Sequence, residues 1–180
     1  MGTLKYAILG LLNRKSMTGY DLSKKVETTL FEFWNAKHSQ ISPELKSLSE
    51  KVLVQYEVEI IGNVLEQKVY SITEHGRDVF YHWEESLNPL QPVPKYELRL
   101  QLFFSGALSP EKRLALLTDQ LKQHEEKLDH LKGNMEKFSS VPPDDENDFA
   151  DYLVLNGAVL REETCCKWLK DCIRLCKQGV

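Results

Sequence analysis

Ser39-Gln-Ile-Ser-Pro-Glu-Leu-Lys-Ser-Leu-Ser-Glu-Lys51 runs directly into Val52-Leu-Val-Gln-Tyr-Glu-Val-Glu-Ile60. In the first stretch Ile41, Leu45 and Leu48 recur at steps of four and three, a narrow apolar stripe on a helix spanning Ser39 to Lys51. In the second, Val52, Val54, Tyr56, Val58 and Ile60 alternate with the mainly polar set Leu53, Gln55, Glu57 and Glu59, which is the period of a strand. One short helix therefore gives way at once to an extended segment.

The flanks extend this pattern. Upstream, Leu4, Ile8, Leu11 and Leu12 share a face of a first helix that stops near Asn13 to Lys15. Ser16-Met-Thr-Gly19 reads as a short turn, and Tyr20, Leu22, Val26, Leu30, Phe33 and Trp34 give a second helix with a wide apolar side. Downstream, Gly62-Asn63 breaks the strand and Lys68-Val-Tyr-Ser-Ile72 returns it. Thr73 suits the N-cap of a helix from Glu74 to about Leu87, with Gly76 tolerated near its start. Three helices followed by a hairpin make a winged helix-turn-helix within a mainly α chain. That architecture serves both nucleic-acid readers and protein-interaction modules, so it does not name a function.

Asn88-Pro-Leu-Gln-Pro-Val-Pro94 carries three prolines, each lacking an amide donor, and reads as a linker. The expected layout is a winged helix over 1–88, a linker over 89–96 and a helical domain over 97–180. Ser109-Pro110-Glu111 is a strong helix start, with a capping Ser, Pro in the first position and an early acid. From it Leu114, Leu117, Leu121, His124, Leu128, Leu131, Met135 and Phe138 recur at alternating steps of three and four. That is a helix-pairing seam in which His124 is the one polar member, either fixing register or facing a wet gap. Gly133 is expected to loosen the last turns. After a loop from Ser139 to Asn147, a final helix from about Asp148 to Lys177 carries Phe149, Leu153, Leu160, Trp168, Leu169 and Ile173 on a broad apolar side. Two such helices carry more apolar surface than one chain of this size is expected to cover, so a homodimer is expected, with Leu114, Leu117, Leu121, Leu128, Leu131, Phe149, Leu153, Leu160, Leu169 and Ile173 at its interface.

The 180 residues carry 23 Lys and Arg against 27 Asp and Glu, a formal charge of −4, which excludes a strongly basic nucleic-acid coat. The average conceals a gradient. Residues 1–51 hold 8 basic and 5 acidic side chains, residues 52–94 hold 2 and 7, and residues 95–180 hold 13 and 15. The helix-turn-helix is thus +3, and the acidity lies beyond it. No apolar run approaches a membrane span, no signal peptide is evident, and Tyr6 breaks the myristoylation pattern that Met1-Gly2 invites, so a cytoplasmic protein with reduced thiols is expected.

Several pieces resemble a known family. Tyr6-Ala-Ile-Leu-Gly-Leu-Leu12, Met17-Thr-Gly-Tyr-Asp-Leu22, Phe33-Trp34, Ser39-Gln-Ile-Ser-Pro-Glu-Leu-Lys-Ser-Leu48 and Lys68-Val-Tyr-Ser-Ile-Thr-Glu-His-Gly76 resemble, in order and spacing, the opening of PadR-type transcriptional regulators. Residues 97–130, with Leu102-Phe-Phe-Ser-Gly-Ala-Leu-Ser-Pro110 leading to Gln123-His-Glu125, resemble the helical C-terminal domain of the longer subfamily. The resemblance implies a homodimeric DNA-binding regulator, usually a repressor, released by a small molecule or another signal, without a cofactor. Three positions depart from the pattern: Ser42 where the family has Tyr, Val52 where it has Gly, and a wing in which one Lys faces Glu57, Glu59 and Glu66.

Base readout in a helix-turn-helix comes from the N-terminal part of the recognition helix. Opposite Ile41, Leu45 and Leu48 stand Ser39, Pro43, Lys46, Ser47 and Glu50, flanked by Gln40 and Ser42. Gln40 suits adenine edges, Ser39 and Ser42 suit bases or phosphates, and Lys46 suits phosphate or guanine. Tyr20 and Lys24 lie where the second helix crosses the backbone, and Lys68 is the wing's own cation. The alternative is a solvated polar face on an interaction module.

The four cysteines fall between Cys165 and Cys176. Cys165, Cys172 and Cys176 lie on one helical stripe, suited either to core packing, to an oxidation switch or to a soft metal, although no Cys-x-x-Cys and no neighbouring His accompany them. Trp34 and Trp168 suit either the core or stacking on a planar effector. His38, His75, His82 and His130 are scattered, and Asp144-Asp-Glu146 reads as a solvated loop. No Gly-rich phosphate loop, zincin motif or nucleophile elbow is present, which points away from an enzyme.

Overall fold

The computed structural model describes residues 2–30, 34, 37–61, 65–144 and 147–178. Phe33, Gly62-Asn63 and the Asp145-Glu146 part of the acidic loop lie outside these. The chain divides into two compact units, Met1–Leu90 and Gln91–Val180.

The first unit runs α1 (Leu4–Arg14), β1 (Met17–Thr18), α2 (Gly19–Lys25), a π-helical turn (Val26–Leu30), a 3-10 turn (His38–Gln40), α3 (Ile41–Glu50), β2 (Val54–Ile61), β3 (Leu65–Ile72) and α4 (Glu74–Glu84). The strands form one antiparallel sheet in the order β1-β3-β2. This is the winged helix-turn-helix that the periodicities predict, with local differences. The segment expected as a turn at Ser16–Gly19 contributes a two-residue strand, Met17 opposite Tyr70 and Thr18 opposite Val69. The pairing is made by backbone amides, which leave no side-chain period to read. The second helix is α-helical only to Lys25 and then widens into the π turn. The third does not begin at Ser39, because residues 38–40 wind as a tighter 3-10 turn. The fourth ends at Glu84 instead of near Leu87.

Caps fix where these helices begin. The Thr18 hydroxyl accepts from the Asp21 amide at 3.0 Å while Asp21 Oδ2 accepts from the Thr18 amide at 3.4 Å, a reciprocal box at the start of α2. The core below holds Ile8, Leu9 and Leu12 of α1, Leu22 of α2, Ile41, Leu45 and Leu48 of α3, Val54 and Ile72 of the hairpin and Phe80 of α4. Burying a Leu or Ile side chain contributes about 1.5–3 kcal/mol, so the inner stripe of α3 alone anchors that helix by several kcal/mol. Trp34 packs against this core as a half-buried side chain, and Tyr6 stacks on Trp83 at 4.4 Å.

The second unit contains α5 (Glu97–Phe103), a 3-10 turn (Ser105–Ala107), α6 (Pro110–Met135) and α7 (Asn147–Gln178). Ser109 caps α6 through the Lys112 amide, with Pro110 in the first turn. Gly133 does not end the helix, which continues to Met135. The helix α5 was not expected from periodicity, since its seven residues span barely two turns.

The two long helices pack antiparallel. Leu117 joins Leu169 in one cluster, and Leu131 joins Ala158 and Val159 in another. The seam on α6 is thus met, within the chain, by α7. Leu117, Leu131 and Leu169 are fully covered, and Leu121, Leu128 and Ile173 pack against the same clusters. Leu114 and Phe149 are half-buried. Among the ten residues assigned to dimerisation, Leu153 and Leu160 remain exposed. Trp168 and Leu175 are exposed as well, and at 100° per residue the four lie within about 80° of one another on α7. Among the described residues, no helix is long and apolar enough to cross a membrane.

Candidate nucleic-acid interface

The outer side of α3 is built by its inner side. With Ile41, Leu45 and Leu48 almost wholly buried, Ser42, Pro43 and Lys46 are left exposed, preceded by exposed Ser39 and Gln40. Gln40 is engaged locally: its Oε1 accepts a 3.2 Å hydrogen bond from the Lys37 amide. No side chain caps the N-terminus of α3. The helix continues from the 3-10 turn at His38–Gln40, and an N-terminal helix end carries partial positive charge, a setting that favours phosphate.

The C-terminus of α3 decides how the wing leaves it. The Leu53 amide bonds the Leu48 carbonyl at 2.9 Å and the Val52 amide bonds the Ser49 carbonyl at 3.0 Å. This is a Schellman motif, whose penultimate residue adopts a left-handed conformation normally taken by glycine. Here that residue is Val52, with φ of 57°, at the position where the family pattern has Gly. Leu53, the next residue, tucks into the core beside Leu48.

Tyr20 and Lys24 lie four apart on α2, and both are exposed. Lys24 shares a shallow groove with Lys15, Ser16, Met17, Asp21, Lys25 and Thr28. Lys15 and Lys25 were not singled out from the sequence, although the excess of cations over residues 1–51 is the signal that points to them. Lys68 is exposed on β3, and its ammonium sits 4.1 Å from the centre of the Tyr56 ring.

The second unit holds a polar cluster that spacing along the chain could not reveal. His124 Nε2 lies 2.7 Å from the Tyr96 hydroxyl, and His124 Nδ1 lies 2.5 Å from Glu162 Oε2. Lys127 Nζ stands 3.1 Å from the other Glu162 oxygen, and Gln120 Oε1 accepts from Tyr96 at 3.2 Å. His124 is thus held by partners of its own chain, not facing a wet gap. Burial pushes the Glu162 carboxyl upward, but hydrogen bonds from His124 and Lys127, with their charges, outweigh it and leave its pKa below the ordinary value.

Cys165 Sγ lies 3.5 Å from His124 Nε2, so a histidine does neighbour the thiols in space, contrary to the sequence reading. Desolvation pushes Cys165, Cys166 and Cys172 up, the reverse of what a reactive thiolate needs. Cys165, Cys172 and Cys176 pack against the Leu98–Leu117–Leu169 cluster, and Cys166 is buried. Among the described residues, no group of three His, Cys, Asp or Glu is placed to hold a metal ion. Trp168 lies outside the core clusters and is partly exposed.

Comparison with known proteins places this geometry. Residues 8–82 match the model of the transcriptional regulator PadR-like family, and residues 94–177 match that of the virulence activator alpha C-terminal domain. The chain is 37% identical to the negative transcriptional regulator PadR of Bacillus subtilis over 97% of its own length and 98% of the relative's. The crystal structure of B. subtilis PadR in complex with operator DNA superposes with a TM-score of 0.92 at 36% identity, covering 97% of this chain and 99% of that one. Its complex with p-coumaric acid superposes with a TM-score of 0.87 at 34% identity, covering 98% and 99%. With that identity over nearly its whole length, the chain belongs to the PadR-like family of transcriptional regulators.

Proposed function

We propose that this chain is a cytoplasmic, non-enzymatic repressor that binds a pseudo-palindromic operator as a homodimer and is released by a small molecule. The observation that carries the reading is α3. Its apolar stripe is locked in the core, and its opposite side offers Ser39, Gln40, Ser42, Pro43 and Lys46 at an uncapped helix N-terminus. Tyr20, Lys24 and Lys68, with Lys15 and Lys25, supply backbone contacts around it. The likeness to a negative regulator solved on operator DNA supports both the partner and the sign of regulation.

Exposed Leu153, Leu160, Trp168 and Leu175 on α7, with Leu100, Phe103 and Phe104 at α5, are the apolar surface that favours a second copy in the helical unit. A two-fold dimer would present its recognition helices to half-sites about one turn of DNA, or a multiple, apart. The p-coumaric acid bound by B. subtilis PadR makes a phenolic carboxylic acid the first effector to try.

The test is a mobility shift on the chain's own promoter DNA across a salt series, with p-coumaric acid titrated in. Protection of two symmetric half-sites, steep loss of affinity with salt and release by the acid are expected. Equal affinity for promoter and unrelated duplex would overturn operator recognition, and binding without salt dependence would favour a protein-interaction role.

A further inference from the structure

The hairpin sorts its charge by face. Side chains alternate across a strand, and the register sets Tyr56 opposite Tyr70, Val58 opposite Lys68 and Ile60 opposite Glu66. Val54, Tyr56, Val58 and Ile60 therefore share one face with Ile72, Tyr70, Lys68 and Glu66. Glu57 and Glu59 stand on the other face, opposite Val69 and Gln67. The first face begins in the core at Val54 and Ile72, then continues outward with Tyr56, Val58 and Ile60 exposed. Along it, Tyr70 packs against the core, the Tyr56 ring meets Tyr70 at 5.5 Å, and the Lys68 ammonium rests over Tyr56. The acidic count of the wing thus overstates the repulsion a polyanion would meet, because two of its three carboxylates lie on the face away from the cation.

We infer that Tyr56 is a positioning residue for DNA binding: its ring holds the Lys68 ammonium on the carboxylate-poor face of the wing, ready for a backbone phosphate. This rests on the reading of the chain as a DNA-binding regulator. A free lysine loses rotamer freedom when it meets a phosphate, and a ring that already confines it removes part of that loss. The ring quadrupole engages one side of the ammonium and leaves its remaining N–H groups to donate.

The inference is tested by salt titrations of affinity for the chain's promoter duplex and for an unrelated duplex of equal length. Lys68→Met keeps the aliphatic stem on the ring and removes the charge, so the log–log salt slope is expected to become shallower by about one on both duplexes. Tyr56→Phe keeps the ring and is expected to match the parent slope. Tyr56→Leu is expected to weaken binding by about two- to fivefold. The double variant Tyr56→Leu with Lys68→Met is expected to bind no more weakly than Lys68→Met alone, because the tyrosine acts through the lysine. An unchanged slope in Lys68→Met, equal losses for Phe and Leu at position 56, or losses that multiply in the double variant would each overturn the inference. If the parent protein binds neither duplex, the DNA-binding reading itself fails and takes this with it.

Discussion

The hydroxyl of Thr73 donates a 2.8 Å hydrogen bond to the carbonyl of Val52, tying the cap of α4 to the left-handed residue that ends α3. A β-branched side chain is a poor occupant of that conformation. The strain is held by the Schellman bonds on one side and by Thr73 on the other. Val52→Gly is therefore expected to stabilise the fold by about 1 kcal/mol, partly offset by glycine's greater freedom when unfolded. A denaturant midpoint that falls in the variant would contradict this account.

Gly76 lies on the same junction. A Cβ there would sit 2.0 Å from the Leu53 carbonyl oxygen, a backbone atom already bonded to the Thr73 amide at 3.1 Å. Backbone cannot yield as a side-chain tip can, so glycine is required here instead of merely tolerated. Gly76→Ala is expected to cost about 2 kcal/mol or more, or to displace the start of α4. Thermal unfolding reads it directly, and a melting temperature equal to the parent's would show that the contact is not tight.

Two residues of the α3 face make separable predictions. Gln40→Ala is expected to relax discrimination at one base position by about 1–3 kcal/mol, less the cost of freeing the Gln40 Oε1 from the Lys37 amide that donates to it. Lys46→Ala is expected to weaken binding evenly across sequences and to flatten the salt slope by about one. Affinity measured on an operator and on single-base variants distinguishes the two, and unchanged operator affinity in both would remove this face from the interface.

The Glu162 cluster predicts acid sensitivity in the helical unit. A carboxyl whose folded pKa lies below its ordinary value of 4.5 contributes stability that is fully present above that pH. The contribution is lost as pH falls through the lower, folded value. Glu162→Ala is expected to cost about 1–3 kcal/mol at neutral pH, because it strands His124 and Lys127, and to cost less at acidic pH. Unfolding curves at neutral and acidic pH supply the comparison, and a cost independent of pH would assign Glu162 a packing role only.

For the thiols the raised pKa values give a direct expectation. Cys165, Cys166 and Cys172 remain protonated at neutral pH, so alkylation of the folded protein should lag well behind that of the unfolded chain. Peroxide should leave DNA affinity unchanged. Fast alkylation coupled to loss of DNA binding would instead support an oxidation switch.

How much was legible follows from what periodicity encodes. The step from Ile41-Leu45-Leu48 to Val54-Tyr56-Val58 is local, and it determined the winged helix because a change of period marks helix giving way to strand, even though Tyr56 and Val58 stay exposed. Ser109-Pro110 likewise marked the start of α6, since a cap is satisfied within its own turn. The family resemblance singled out position 52, and the geometry supplied the reason: a left-handed φ.

The sequence by itself thus determined the longer helices and the hairpin, though not β1 or α5, together with the apolar stripe of each long helix and the concentration of positive charge in the first 51 residues. The tertiary structure decided which surface covers which. It turned the α6 seam inward onto α7, gave His124 its partners 28 and 38 residues away, and placed Glu57 and Glu59 across the hairpin from Lys68. The physical reason is that a pattern along the chain states only that a face must be buried or a charge solvated. Which partner does so depends on where the chain returns, and that is settled by packing between segments far apart in sequence.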